Sequence, residues 1–131
     1  MERKRVLVVE DDRDVNTLIC RYLGHRDFTC TGAHSAEQCL GELDADSAPD
    51  LILIDLELPD LDGAELCRRI HQRADARDVP VLLMTGYQLA NQLDRVRAAG
   101  AAALLLKPFS PKELLAKVIE MTRVPPAAQA I

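Results

Sequence analysis

The sequence has no tryptophan and only two tyrosines and two phenylalanines, so a core built from it must be filled with aliphatic side chains. It has no surplus of positive charge. Its 16 Lys and Arg stand against 21 Asp and Glu, a formal net charge of −5, which argues against direct clamping of a polyanion such as nucleic acid. It has no long apolar run, since the uncharged stretch from Ala98 to Leu106 falls far below the roughly 18 residues needed to cross a bilayer. No membrane role is expected. The opening residues, Met1 to Arg5, lead at once into the short apolar run Val6 to Val9, without the apolar length or small-residue cleavage site of a secretory signal. A cytoplasmic location is the expectation. Neither G-x-G-x-x-G nor G-x-x-x-x-G-K-S/T occurs, which removes the common dinucleotide and nucleoside-triphosphate fingerprints. The cysteines, Cys20, Cys30, Cys39 and Cys67, include no C-x-x-C pair and no His at metal-ligand spacing, which excludes a locally encoded zinc or redox motif. They read as reduced, mostly buried thiols, although the sequence alone leaves a pairing between any two open.

What is present is 131 residues at 48% hydrophobic and 28% charged, the size and balance of one globular domain. Five short apolar runs, Val6 to Val9, Phe28 to Thr31, Leu51 to Ile54, Val81 to Met84 and Ala103 to Leu106, read as strands. Their continuous apolar character predicts a sheet buried on both faces. Helix-period segments separate them. Val15, Leu18, Ile19, Tyr22 and Leu23 line one face of a first helix. Ser35-Ala36-Glu37-Gln38 is a capping box for a second, with Ala36, Cys39, Leu40 and Leu43 inward. A third starts after Asp62-Gly63 and carries Leu66 and Ile70, and a fourth uses Leu89, Leu93 and Val96 and stops near Gly100. Ser110-Pro111-Lys112-Glu113 supplies an N-cap, a first-turn proline and a capping glutamate for a fifth, with Leu114, Leu115, Val118 and Ile119 inward. This alternation predicts βα crossovers and therefore a doubly wound parallel α/β sheet with helices on both faces. The segment 124–131 opens Val124-Pro125-Pro126 and reads as a tail or the start of a linker.

Open parallel sheets bind ligands beyond the carboxyl ends of their strands. Strand one runs out into Glu10-Asp11-Asp12, strand three into Asp55, strand four into Thr85-Gly86 and strand five into Lys107-Pro108. If strands one and three are neighbours, about 4.8 Å apart, Asp55 crowds the strand-one acids. Ionised carboxylates sharing a cleft repel one another unless a cation joins them. Clustered carboxylate oxygens are hard donors that suit Mg²⁺, an ion commonly shared with a substrate phosphate. An acid after a strand also serves as a helix N-cap, a role for Asp12 or Asp14, whereas Glu10, Asp11 and Asp55 together point to metal. His25, His34 and His71 share no ligand spacing and are given no role. Arg68, Arg69 and Arg73 read as a solvated face of the third helix.

The segments Val-Leu-Val-Val-Glu-Asp-Asp (6–12), Leu-Ile-Leu-Ile-Asp-Leu-Glu-Leu-Pro-Asp-Leu-Asp-Gly (51–63), Met-Thr-Gly (84–86) and Lys-Pro-Phe (107–109) together resemble the receiver domains of response regulators in two-component signal transduction. The resemblance covers residues 5–123 and implies a flavodoxin-like (βα)5 fold with strand order 2-1-3-4-5. It makes Asp55 the phosphoacceptor, phosphorylated from a phosphohistidine. Asp11 is implied as a direct Mg²⁺ (or Mn²⁺) ligand and Glu10 as the second acid or a ligand through water. Asp55 and the backbone carbonyl of Glu57 complete the set, and an alternative register uses Asp11 with Asp12. Lys107 is implied to neutralise a phosphoryl oxygen, with Pro108 aiming it, and Thr85 to donate its hydroxyl to the phosphoryl group and draw the following loop inward. Gly86 leaves room for that group, and Pro59 and Gly63 shape the loop after strand three. Glu57 and Tyr87 stand where such domains tune the access of the hydrolysing water. Leu104 occupies the place where they often carry a switch Tyr or Phe, so the signal is expected to pass through repacking of the fourth helix.

The implied function is a phosphorylation-activated switch that catalyses only its own phosphorylation and dephosphorylation and changes its surface at helix four, strand five and helix five. Its partners would be a sensor histidine kinase or a histidine phosphotransfer protein, and a downstream effector or a fused output domain. A homodimer is left open, with no direct nucleic-acid or membrane contact. Two alternatives compete: a receiver-type interaction module that works without phosphorylation, and an aspartate-dependent phosphohydrolase using Asp55-Leu56-Glu57. The latter would need a cap insertion for which the chain is short.

Overall fold

The computed structural model of the protein describes residues 3–86 and 93–123. Along them run β1 (Lys4–Val9), α1 (Arg13–Gly24), β2 (Phe28–Ala33), α2 (Ala36–Ala45), β3 (Leu51–Asp55), α3 (Gly63–His71), β4 (Val81–Gly86), α4 (Leu93–Ala98), β5 (Ala103–Lys107) and α5 (Pro111–Thr122). The strands form one parallel sheet in the order β2-β1-β3-β4-β5. This is the predicted doubly wound α/β fold.

Helices on both faces explain the apolar runs. In β3 and β4, Leu51 to Ile54 and Val81 to Met84 are all fully buried, so no position needs to be polar. Alternate residues serve different layers. Leu7, Val9, Ile52, Ile54, Val81 and Leu83 pack with Cys39, Leu43, Leu66, Ile70 and Val96 of α2, α3 and α4. Val6, Val8, Leu51, Leu53, Leu82 and Met84 pack with Ile19, Leu23, Leu114 and Val118 of α1 and α5. The edge strand β2 buries only Phe28 and Ala33, which is why its apolar signal is weak.

The helix faces differ from expectation at their margins. On α1 Ile19 and Leu23 are buried, but Leu18 is 66% exposed and Asn16 is buried instead. The amide of Asn16 explains the exchange: its Nδ2 donates to the carbonyls of Val8 (3.2 Å), Glu10 (3.1 Å) and Ala33 (3.0 Å). It thereby satisfies backbone acceptors where β1 leaves the sheet. A Cβ at Gly32 would collide with the Asn16 side chain, so the glycine makes room for it. On α4 Val96 is buried while Leu93 is exposed, and on α5 Ile119 is exposed while Leu114 and Val118 are buried. A helix buries a limited arc against the sheet, and Ile119, about 100° round from Val118, falls beyond it. Leu89, Tyr87 and 124–131 lie outside the described residues.

Caps hold as expected on α5, where Ser110 and Glu113 form a reciprocal box (3.1 and 3.3 Å) after Pro111. Asp12 is the N-cap of α1, accepting from Asp14 N and Val15 N. The box expected on α2 is only half formed. Ser35 Oγ accepts from Gln38 N (3.1 Å), but the Gln38 side chain accepts from His34 N (2.8 Å) rather than from Ser35.

Candidate functional site

Strand register brings the rim residues together. Val9 pairs with Ile54, Asp55 with Met84 and Gly86 with Lys107, so the residues ending β1, β3, β4 and β5 share one edge. There Lys107 Nζ donates to Glu10 Oε1 at 2.6 Å and to Asp55 Oδ2 at 2.8 Å, tying three strand ends that lie far apart in the chain. Asp55 Oδ1 accepts from Glu57 N at 2.9 Å, and Glu10 Oε2 from Asp12 N at 3.3 Å. Glu10 and Asp55 are buried, whereas Asp11 beside them is exposed. Carboxylate oxygens of Glu10, Asp11 and Asp55 all lie within 4.8 Å of one another.

Three acids face one ammonium, and the imbalance shows. Burial pushes the Glu10 carboxyl up to about 7; Lys107 opposes this and the Asp55 carboxylate adds to it. Burial disfavours the Lys107 ammonium, but the hydrogen bonds and charges of Asp55 and Glu10 outweigh it and hold its pKa above the ordinary lysine value. Such a cluster gains from a proton or a cation. Its donors are all hard oxygens, two half-fixed by Lys107 and one open to solvent, and this set fits Mg²⁺ better than softer ions.

The family model for the response regulator receiver domain matches residues 6–119. The chain belongs to that family. It is 36% identical over 119 residues to the response regulator MprA of Mycobacterium ulcerans (strain Agy99), covering 91% of this chain and 50% of that protein. It is 34% identical over 128 residues to the phosphate regulon transcriptional regulatory protein PhoB of Escherichia coli (strain K12), covering 95% and 55%. The chain thus spans about half the length of these curated relatives. Its fold matches a putative response regulator from Chloroflexus aurantiacus J-10-fl with a TM-score of 0.86 at 29% identity, covering 92% and 98% of the two chains. Chemotaxis response regulator CheY4 of Vibrio cholerae matches at 0.85 and 22% identity, covering 91% and 98%, a likeness of fold.

Elsewhere in this receiver domain, Thr85 is fully buried at the end of β4. Its hydroxyl donates to the Gly86 carbonyl at 3.3 Å and, among the described residues, makes no bond to Asp55 or Lys107. Gly86 is open: a Cβ there would meet nothing nearer than Glu57 Oε1 at 3.9 Å, which also places the exposed Glu57 carboxylate beside it. Leu104 sits half-buried against the layer that holds Val96 and Ala99. The Lys107–Pro108 bond is cis. Gly63 has no room for a side chain, since a Cβ would collide with the Asp55 carbonyl and lie 2.7 Å from Leu56 Cα. Pro59 stands exposed in the same loop.

Three supporting residues escape a motif-based reading. Asn16 fixes the exit of β1 at Glu10, as described above. Asp60, in the loop after β3, accepts from Ala36 N and Glu37 N at 3.0 Å each and so caps α2 from outside. Desolvation raises its pKa, but the backbone hydrogen bonds together outweigh it and hold the carboxyl below the usual carboxylate range. Asp62 caps α3 and pairs with Arg95 of α4 at 2.8 Å. For the two acids, the Pro59-Asp60-Leu61-Asp62-Gly63 string was the available signal: turn formers alternating with capping residues.

Proposed function

We propose that this receiver domain is a phosphorylation-activated switch whose acceptor is Asp55. The observation that carries the reading is the Lys107 ammonium bonded to both Glu10 and Asp55, with Asp11 alongside. A carboxylate oxygen of Asp55 attacks the phosphorus of a phosphohistidine on a sensor histidine kinase or histidine phosphotransfer protein. The new O–P bond forms as the P–N bond breaks, and the imidazole leaves. Glu10, Asp11, Asp55 and the Glu57 backbone carbonyl would hold Mg²⁺, which when bound offsets charge on the phosphoryl oxygens. Lys107 keeps its proton at neutral pH and brings a compact positive charge to the Asp55 carboxylate it binds. Gly86 leaves space above the acceptor, while Glu57 and Tyr87 set access for hydrolysing water. Thr85 exchanges its bond to the Gly86 carbonyl for one to the phosphoryl group and pulls on the loop after β4.

The output surface is α4, β5 and α5. Each presents a large apolar side chain to solvent, Leu93, Leu106 and Ile119 respectively, a face suited to a partner that covers it. Leu104 packs against the α4 layer, so movement near Thr85 shifts α4 by repacking, without an aromatic swing. A downstream effector or a fused output domain receives the signal; the greater length of the curated relatives supports the latter. The test is intact-mass measurement after incubation with acetyl phosphate, with and without Mg²⁺. A Mg²⁺-dependent gain of one phosphoryl group, absent in Asp55→Asn, is expected. No adduct from acetyl phosphate or from a phosphorylated histidine donor would overturn the reading in favour of a phosphorylation-independent module.

A further inference from the structure

Two of the cysteines face each other on the α1 side of the sheet. Cys20 of α1 and Cys30 of the edge strand β2 bring their sulfurs to 2.8 Å. A disulfide needs about 2.05 Å, so roughly 0.8 Å of further approach joins two side chains already aimed at one another. Both are half-buried. They line an open depression of about 400 Å³ together with Thr17, Arg21, Gly32 and His34, so a small oxidant reaches them from solvent.

The two thiols are also unlike each other. The hydrogen bond from Cys30 lowers the pKa of Cys20 despite burial. The same contact and burial raise that of Cys30. Of the two, Cys20 is the one this contact leaves readier to lose its proton. The other two sulfurs offer a built-in contrast. Cys39 and Cys67 are buried, and burial pushes them up to about 12 and about 11, so they stay protonated and shielded.

We propose that Cys20 and Cys30 form a reversible dithiol–disulfide site, oxidised by a hydroperoxide and reset by a thiol reductant. The Cys20 thiolate attacks one peroxide oxygen; the S–O bond forms, the O–O bond breaks, and the departing oxygen leaves as water after taking a proton. The Cys30 sulfur then attacks Cys20; the S–S bond forms, the S–O bond breaks, and a second water leaves carrying the Cys30 proton. Two thiols lose two electrons and one hydrogen peroxide becomes two waters. Two low-molecular-weight thiols reverse the change by exchange. This site is independent of any role for Asp55.

The native chain tests it without mutation. After stoichiometric hydrogen peroxide, the intact mass falls by about 2 Da, and two of the four cysteines remain open to alkylation under denaturing conditions. Trypsin with Glu-C places the cysteines on separate peptides, 14–21, 27–37, 38–42 and 66–68. The expected product joins 14–21 to 27–37 and separates on adding dithiothreitol. In Cys30→Ser, a sulfenic-acid trap such as dimedone labels Cys20. A link that involves Cys39 or Cys67, disulfide dimers of two chains, or oxygen adducts without a link in the native chain would each overturn the proposal.

Discussion

Replacing Glu10 with glutamine should stabilise the domain, and only at neutral to alkaline pH. Glu10 is 1% exposed, and its carboxyl is pushed from the ordinary 4.5 up to about 7, first by burial. Between those values the folded chain holds a proton that the unfolded chain releases. Stability therefore falls as pH rises through this window, and the whole cost is present above it. At about 1.4 kcal/mol for each pH unit, the interval from 4.5 to about 7 sets a ceiling near 3 kcal/mol. Glutamine still accepts from Lys107 but loses the acceptor that faces Asp12 N, which returns about 1 kcal/mol. A net gain of about 2 kcal/mol remains at pH 8, and close to none at pH 5. Without tryptophan, the assay is urea unfolding followed by far-UV circular dichroism, with EDTA present. For a slope of about 2 kcal/mol per molar, Glu10→Gln raises the midpoint by about 1 M at pH 8 and leaves it unchanged at pH 5. Asp60, Asp62 and Glu65 are held below the usual carboxylate range, so their contributions are lost only at lower pH. An equal shift at both pH values, or a lower midpoint at pH 8, would mean that burial of a charged Glu10 is not what destabilises the domain.

The same acids should answer to Mg²⁺. At a concentration a hundredfold above its Kd the native chain gains about 2.7 kcal/mol, read as a higher Tm than in EDTA, and Asp11→Asn and Asp55→Asn lose most of that gain; an unchanged response in Asp11→Asn would move the cation off this rim. Asp60→Ala uncaps α2 and lowers stability by about 1 kcal/mol in urea, although nothing in α2 itself is altered. Gly63→Ala forces the loop away from Asp55 and costs about 2 kcal/mol or more, whereas Gly86→Ala, with open space at that position, leaves the urea midpoint unchanged and alters only the rate at which the phosphoryl group is gained or lost. A reversed order of the two glycine variants would count against the packing described around Asp55.

The order of strands and helices is legible in the chain because the central strands need no polar side at all. Leu51 to Ile54 and Val81 to Met84 announce themselves as runs, and the residues directly after them fall at the carboxyl edge by topology alone. Asp55, Lys107, Glu10 and Asp11 stand out for that reason. Inward helix faces are less legible. Leu18, Leu93 and Ile119 carry the right period yet face solvent, and Asn16 lies inward for three carbonyls that hydropathy does not register. Contacts across sequence distance are silent altogether. Nothing local joins Asp60 to the start of α2 or Cys20 to Cys30, because each pairing exists only once the sheet has set the spacing.

The loop that follows Asp55 fastens more than its own strand. Leu56 N binds the Met84 carbonyl and Gly63 N the Leu56 carbonyl, each at 2.9 Å, while Asp60 fastens α2, and Asp62 fastens α3 and reaches Arg95 of α4. In mechanical terms it is a shared mount for every helix on one side of the sheet, and none of these fastenings reaches α1 or α5. A displacement of this loop would therefore be shared out among three helices at once, with α1 and α5 outside the linkage.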